Sequence, residues 1–278
     1  WCGGPYAAAP LAVCKGVSVW APVGGHPIPG WAMTHHGSRV SMEDCVISNV
    51  RGAGMVSELG NETGQWVDNV VTGCRGDGEN SYWGSRSECY TNHNGHAGVA
   101  YDNQSRAIRM HGNIAGSSRF AYLWHHQKST RQARLVRAED SPLFDGILTG
   151  GASNHETFED EGIGFNQVQI PPMDHNEAHA CRTGFSVFHR AGGESGKSSV
   201  PLLVNAFHCL NVPFAFDVSQ YSSRYYFKDF LWQGPTDMMT TSKAIEVGVV
   251  TWDWNFSNGH MRNYRTGFSN GAGLNFDG

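Results

Sequence analysis

The sequence predicts an all-β fold, a right-handed parallel β-helix with irregular loop insertions, and three observations carry the prediction. One segment repeats itself at an offset of 24 residues. Apolar residues fall in runs of strand length, with no sustained 3.6-residue period that would call for a major helix. Gly is abundant, at 35 of 278 residues, and with Asn and Asp it punctuates the runs as turns do. A short strand between turns cannot bury its own apolar face, so successive units must stack as coils of a solenoid.

The repeat is clearest where Asp44-Cys45-Val46-Ile47-Ser48-Asn49-Val50-Arg51-Gly52 lies over Asp68-Asn69-Val70-Val71-Thr72-Gly73-Cys74-Arg75-Gly76. The frame returns at Gly112-Asn113-Ile114-Ala115 and at His175-Asn176-Glu177-Ala178. Arg51, Arg75, Arg119 and Arg182 mark its register, at separations of 24, 44 and 63 residues that approximate one, two and three coils. Tyr264-Arg265-Thr266-Gly267-Phe268 matches Cys181-Arg182-Thr183-Gly184-Phe185 across 83 residues, near four coils.

Within this frame Val46, Ile47, Val70, Val71 and Ile114 are expected to point into the core, in alternation with outward neighbours. The Asn of each Asp-Asn or Gly-Asn step suits a tight turn, since it tolerates left-handed geometry and hydrogen-bonds nearby backbone. Cys45, Cys74, Cys181 and Cys209 are expected as buried small hydrophobes or coil staples. Residues 1–34, rich in Gly, Pro and Ala, read as an irregular lead-in, and residues 35–278 as the β-helix. Insertions interrupt the frame near residues 79–94, 126–165 and 190–200. Residues 271–278 still read as repeat, so a longer chain, or a partner or second copy at the exposed end coils, is expected.

Composition narrows the function classes. With a net charge of −5 and no runs of Lys or Arg, the chain lacks the basic field that captures nucleic acid. No apolar stretch is long enough for a membrane-spanning helix. Phosphate-binding loops, dinucleotide Gly fingerprints, nucleophile elbows and zinc-binding His-Glu-x-x-His helices are absent. Sequons at Asn61, Asn103 and Asn255 fit a glycosylated, extracellular or cell-surface protein.

Two segments look like a known series: Glu62-Thr63-Gly64 leading into Val67-Asp68-Asn69, and Gly95-His96-Ala97-Gly98-Val99-Ala100-Tyr101 leading into His111-Gly112-Asn113-Ile114-Ala115. They resemble the β-helix region of the eight-glycine-domain family, which includes fibrocystin-type receptors and hyaluronan-degrading proteins. The pattern covers roughly residues 35–190. The resemblance implies an extracellular setting and contact with a long acidic polysaccharide, and it assigns no catalytic residue.

Candidate chemistry therefore comes from the residues themselves. His93 and His96, close in sequence to Asp102, read as an acid/base or metal-binding pair on an exposed turn or as solvated turn histidines. A lyase acting by β-elimination needs a base beside a uronate and a cation to neutralise its carboxylate, roles open to His96 and to Arg106, Arg109 or Arg119. A hydrolase needs two facing carboxyl groups, drawn from Glu62, Asp77, Glu79, Asp102 and Asp174. His125 and His126 adjoin the most basic stretch, where Lys128 and Arg131 would contact substrate together with Trp83. Further aromatics, among them Trp66, Tyr101, Trp232, Trp252 and Trp254, offer either a sugar-stacking surface or core packing. The Trp252-Asp253-Trp254 alternation places both indoles on one strand face. No metal ligand set is specified, and calcium is the one cofactor contemplated. Two functions remain open: a secreted polysaccharide lyase or hydrolase, and a noncatalytic structural or adhesive surface protein.

Overall fold

The computed structural model describes residues 12–22, 24–35, 38–57, 62–76, 98–103, 105, 107–125, 172–188, 202–223, 225–237, 240–252, 254–269 and 274–277. These form a right-handed parallel β-helix of three sheets, with nine, eight and eight strands. Every third strand in the sequence joins the same sheet, so each coil contributes one strand to sheet A, one to sheet B and one to sheet C.

Coil 1 is Ala12–Lys15, Ser18–Trp20 and Trp31–His35, and coil 2 is Arg39–Glu43, Val46–Val50 and Ala53–Ser57. Coil 3 follows with Thr63–Val67, Val70–Cys74 and Val99–Asn103, and coil 4 with Ala107–His111, Ile114–Gly116 and Phe120–His125. Coils 5 to 8 continue in the same manner to the sheet C strand Thr266–Ser269, and Leu274–Asp277 pairs in sheet A beyond them. The regular stack thus begins inside the expected lead-in, because residues 12–35 already supply all three strands of a coil. The segments 77–97, 126–171 and 189–201, which contain the expected insertions, lie outside the described residues.

The predicted 24-residue register is the observed one: Val46 pairs with Val70, Ile47 with Val71 and Val50 with Cys74. Only one residue of each adjacent pair faces inward, however. Ile47 and Val71 are fully buried, whereas Val46 and Ile114 stand on the outer face of sheet B and Ala115 takes the inward place. The Arg column is also real, with Arg75 N–H donating to Val50 O, Arg119 N–H to Cys74 O and Arg182 N–H to Ser118 O. Each step is a single coil; the extra length of the 44- and 63-residue spacings falls between the described strands. By the same token Thr183 reaches Thr266 in three coils, through Phe214 and Lys243.

Two turns per coil hold left-handed residues in columns. Between sheets A and B these include Asp44, Asp68, Gly112, His175, Ala206, Asp229 and Asn258; between sheets B and C they include Asn49, Gly73, Ser117, Ala180, Asn211 and Asn263. At the first turn the left-handed residue is the one before the Asn, not the Asn itself. Asn69, Asn113 and Asn176 instead turn fully buried side chains into a ladder. Asn113 Oδ1 accepts from both the backbone N–H and Nδ2 of Asn69, at 3.1 and 2.9 Å. Asn176 Oδ1 serves Asn113 in the same way, and the Nδ2 groups of Asn69, Asn113 and Asn176 also donate to the carbonyls of Met42, Trp66 and Met110.

Across the core, Tyr101 and Tyr122 stack at 4.9 Å and donate to the carbonyls of Asn69 and Asn113. From coil 6 onward the Asn column becomes Phe207 and Phe230, both buried, and the Tyr column has become Phe185 and Phe216. Cys45, Cys74, Cys181 and Cys209 are buried free thiols, which supports their reading as small hydrophobes and not staples. Burial pushes the Cys74 thiol up to about 12 and that of Cys181 to about 11.

Candidate functional site

Outward side chains on a β-helix recur once per coil, so residues far apart in sequence line up along the axis about 4.8 Å apart. On the outer face of sheet B one such line runs through Trp20, Ser48 and Thr72, which are Cα partners on successive strands. Trp20 is 65% exposed, the most exposed large apolar side chain among the described residues. Beside it on the same face stand Val46 and Ile114, also exposed.

The line borders a groove at the corner between sheets B and C. Coil 1 crosses this corner by the long loop between Trp20 and Trp31, and Gly24, Gly25 and Pro27 of that loop form one wall. Coils 2 and 3 supply the floor, including Ser48, Asn49, Thr72 and Gly73, and Ser117 of coil 4 closes the lining. The groove is open to solvent and has a volume of ≈ 580 Å³, within the range of small-ligand pockets.

The wall is tied down by Asn49. Its Nδ2 donates to Ala21 O at 3.3 Å and to Pro22 O at 3.1 Å, and its carbonyl accepts from Ile28 N–H. This geometry requires a left-handed residue, with φ of 57°, a conformation that Asn adopts more readily than most side chains. The next coil carries Gly73 at the same place, where a Cβ would come within 3.3 Å of Asn49 N.

Arg51 and Arg75 also line the groove, both exposed and one rung apart, and no carboxylate is among its described lining residues. The site therefore combines two fixed positive charges, a rim of hydroxyl and amide groups, and an adjoining exposed indole. Guanidinium groups pair with carboxylate or sulfate through parallel hydrogen bonds, and an indole face stacks on the C–H face of a pyranose.

Of the sites expected from sequence, the structure describes only a part. Asp102 sits on an outward position of sheet C, between Val56 and Leu123, yet is fully buried. Arg119 is likewise buried, its guanidinium 5.3 Å from the Phe120 ring centroid. Neither presents a polar atom to solvent, so neither forms an open catalytic groove. Arg109 is exposed, but on sheet A, away from Asp102 in sheet C. His93, His96, Arg106, His126, Lys128, Arg131 and Trp83 lie outside the described residues, and of His125 only the backbone is described, as the end of a sheet C strand.

Asn103 points into the core with no solvent exposure and accepts hydrogen bonds from Ser57 Oγ and Ser105 N–H, so the folded chain has no room for a glycan there. Asn255 is half-buried between the inward Trp254 and Phe256, and Asn61 lies outside the described residues. Trp66, Tyr101, Trp232 and Trp254 all pack in the core. Trp252 and Trp254 do not share a strand face, because one ends a strand of sheet C and the other begins a strand of sheet A.

The turn Asp174-His175-Asn176-Glu177 is tied up internally. Asp174 accepts from Asn205 Nδ2, and Glu177 lies 2.7 Å from His179 Nε2. Among the described residues no group of three or more His, Cys, Asp or Glu is placed to hold a metal ion, and no helix is long and apolar enough to cross a membrane.

Sequence reasoning missed Trp20, Arg51 and Arg75 as a site. Arg51 and Arg75 were legible as a register pair one coil apart; Trp20 was hidden by its place in the Gly- and Pro-rich lead-in. Comparison of the chain with protein-family models, with curated proteins and with solved structures finds no significant match.

Proposed function

We propose that this chain binds an acidic polysaccharide at the corner between sheets B and C, in an extracellular or cell-surface setting. The observation that carries the reading is the pairing of an exposed indole, Trp20, with a groove whose described lining holds two exposed Arg side chains. A uronate or sulfated sugar has the matching features: an apolar ring face for the indole, an anionic group for each guanidinium and hydroxyls for the Ser, Thr and Asn rim. The resemblance to the eight-glycine-domain family points to the same class of ligand.

Binding is what the described lining supports: among the described residues it holds no carboxylate pair for hydrolysis and no His or Lys to act as a base for elimination. The purified chain, with and without calcium, is to be incubated with hyaluronan, chondroitin sulfate, polygalacturonate and neutral dextran. Retention of at least one anionic polymer, weakening with added salt and absent for dextran, is the expected result. Loss of retention in Arg51→Ala/Arg75→Ala and in Trp20→Ala would tie it to the groove. Equal retention of dextran, or of anionic polymers by these variants, would sink the proposal, and shortened polymers with unsaturated uronate absorbance would show lyase activity located elsewhere.

A further inference from the structure

The geometry points to a site that recognises the end of an acidic glycan chain, not an internal stretch of it; this rests on the polysaccharide reading and narrows it. Three observations carry the inference.

The first is the wall. On the side of coil 1 the groove stops against the backbone of Gly24, Gly25 and Pro27, which lies across the corner and is fastened by the two Asn49 hydrogen bonds. A polymer running along the solenoid axis meets this wall head-on, and Trp20, at the start of the same loop, stands ready to stack on the sugar that arrives there.

The second is the length of the cationic column. Arg51 and Arg75 are exposed, but Arg119, the next residue in the column, is fully buried with its guanidinium against Phe120. The outward guanidinium pair thus spans a single rung interval, about 5 Å. An internal-binding protein would profit from continuing the column, because each further charge adds to the affinity for a polyanion.

The third is size. A volume of ≈ 580 Å³ matches a compact ligand and is enough for a short acidic oligosaccharide.

The decisive measurement is stoichiometry on the full chain, by calorimetric titration with hyaluronan and polygalacturonate, each as a short oligosaccharide and as polymers of two defined lengths. Expected is a capacity per polymer molecule that does not change with polymer length, with the oligosaccharide competing at a similar molar concentration. Arg51→Ala/Arg75→Ala should weaken oligosaccharide binding about tenfold or more. Asn49→Ala, which unfastens the wall, should let long polymers take up several protein molecules each.

Capacity that rises in proportion to polymer length for the unaltered chain would overturn end recognition and leave polysaccharide binding standing. Absence of binding to oligosaccharide and polymer alike would overturn both. The unaltered chain alone decides between these outcomes, so a poorly folded variant does not obscure the result.

Discussion

Coils 3 to 5 and coils 6 to 8 wind the same backbone around two chemically different cores. In the first region the column behind the left-handed turn is Asn69, Asn113 and Asn176, hydrogen-bonded to one another and reached from across the core by the Tyr101 and Tyr122 hydroxyls. In the second it is Phe207 and Phe230, in an aromatic stack centred on Phe216, whose ring lies 4.7 Å from that of Phe227 and 5.0 Å from that of Trp254. The polar solution satisfies turn groups that would otherwise be orphaned in the core, so it punishes any slip of register. The aromatic solution stabilises by area and packing, so it tolerates changes of shape better.

The two columns change one coil apart. A Tyr is useful only where a carbonyl of the Asn turn accepts from its hydroxyl; coil 5 still carries Asn176 but already has Phe185 in the Tyr column, and coil 6 has Phe207 and Phe216. The teaching is that a coil is a unit of side-chain chemistry as well as of backbone.

The largest effect is expected from Asn113→Asp. The carboxylate cannot donate to Trp66 O or to Asn176 Oδ1, and it buries a charge among acceptors. A loss of about 4 kcal/mol is expected, with amide hydrogen exchange accelerating first in coils 3 to 5, since a solenoid loses stability locally. Asn113→Leu, near in volume, should fare little better because the hydrogen bonds are directional. Full protection in either variant would show that the ladder contributes nothing to register.

Phe216→Ala should come next, at about 3–4 kcal/mol, with exchange accelerating in coils 6 to 8. Here the sharpening variant is Phe216→Leu, which should recover more than half of the loss, as no ladder residue replacement of similar size would. If Phe216→Leu is as damaging as Phe216→Ala, the proposed contrast between directional and areal stabilisation fails.

A third, smaller effect concerns the small-residue column of sheet C. A Cβ on Gly184 would stand 2.5 Å from Cys209 Sγ and 2.7 Å from Ala215 O, whereas a Cβ on Gly267, at the same place three coils on, meets nothing within 4 Å. Gly184→Ala should cost about 1–3 kcal/mol and Gly267→Ala within about 0.5 kcal/mol of nothing. Similar urea midpoints for the two variants would contradict the difference in packing.

The mildest test is alkaline titration. Cys74 and Cys181, with thiols held up at about 12 and about 11 by burial, stay neutral in the folded chain while an unfolded chain ionises near its ordinary value of 9.0. Stability is thus unaffected below pH 9 and falls as pH rises from 9 towards 11 and 12, because only the unfolded state gains by losing the proton. A Cys74→Ala variant should show a shallower decline of urea midpoint over that window, and a decline beginning well below pH 9 would exclude the thiols as its source.

Much of the fold was determined by the sequence alone. The 24-residue offset between Asp44 and Asp68 set the pairing of coils 2 and 3, and the Arg column carried that register onward, because strand periodicity and turn chemistry are local and survive in linear order. Tertiary structure decided the rest. Which of Val46 and Ile47 faces inward depends on the direction from which each strand leaves its left-handed turn. The number of coils between Arg75 and Arg182 depends on how much chain lies between successive strands, and that length leaves no mark on rung spacing. Asp102 and Asn103 look like surface chemistry in linear order, yet both are buried. The groove is the sharpest case: Trp20, Arg51 and Arg75 are brought together only because three coils stack at about 4.8 Å, and Asn49 fastens a loop across the corner that they share.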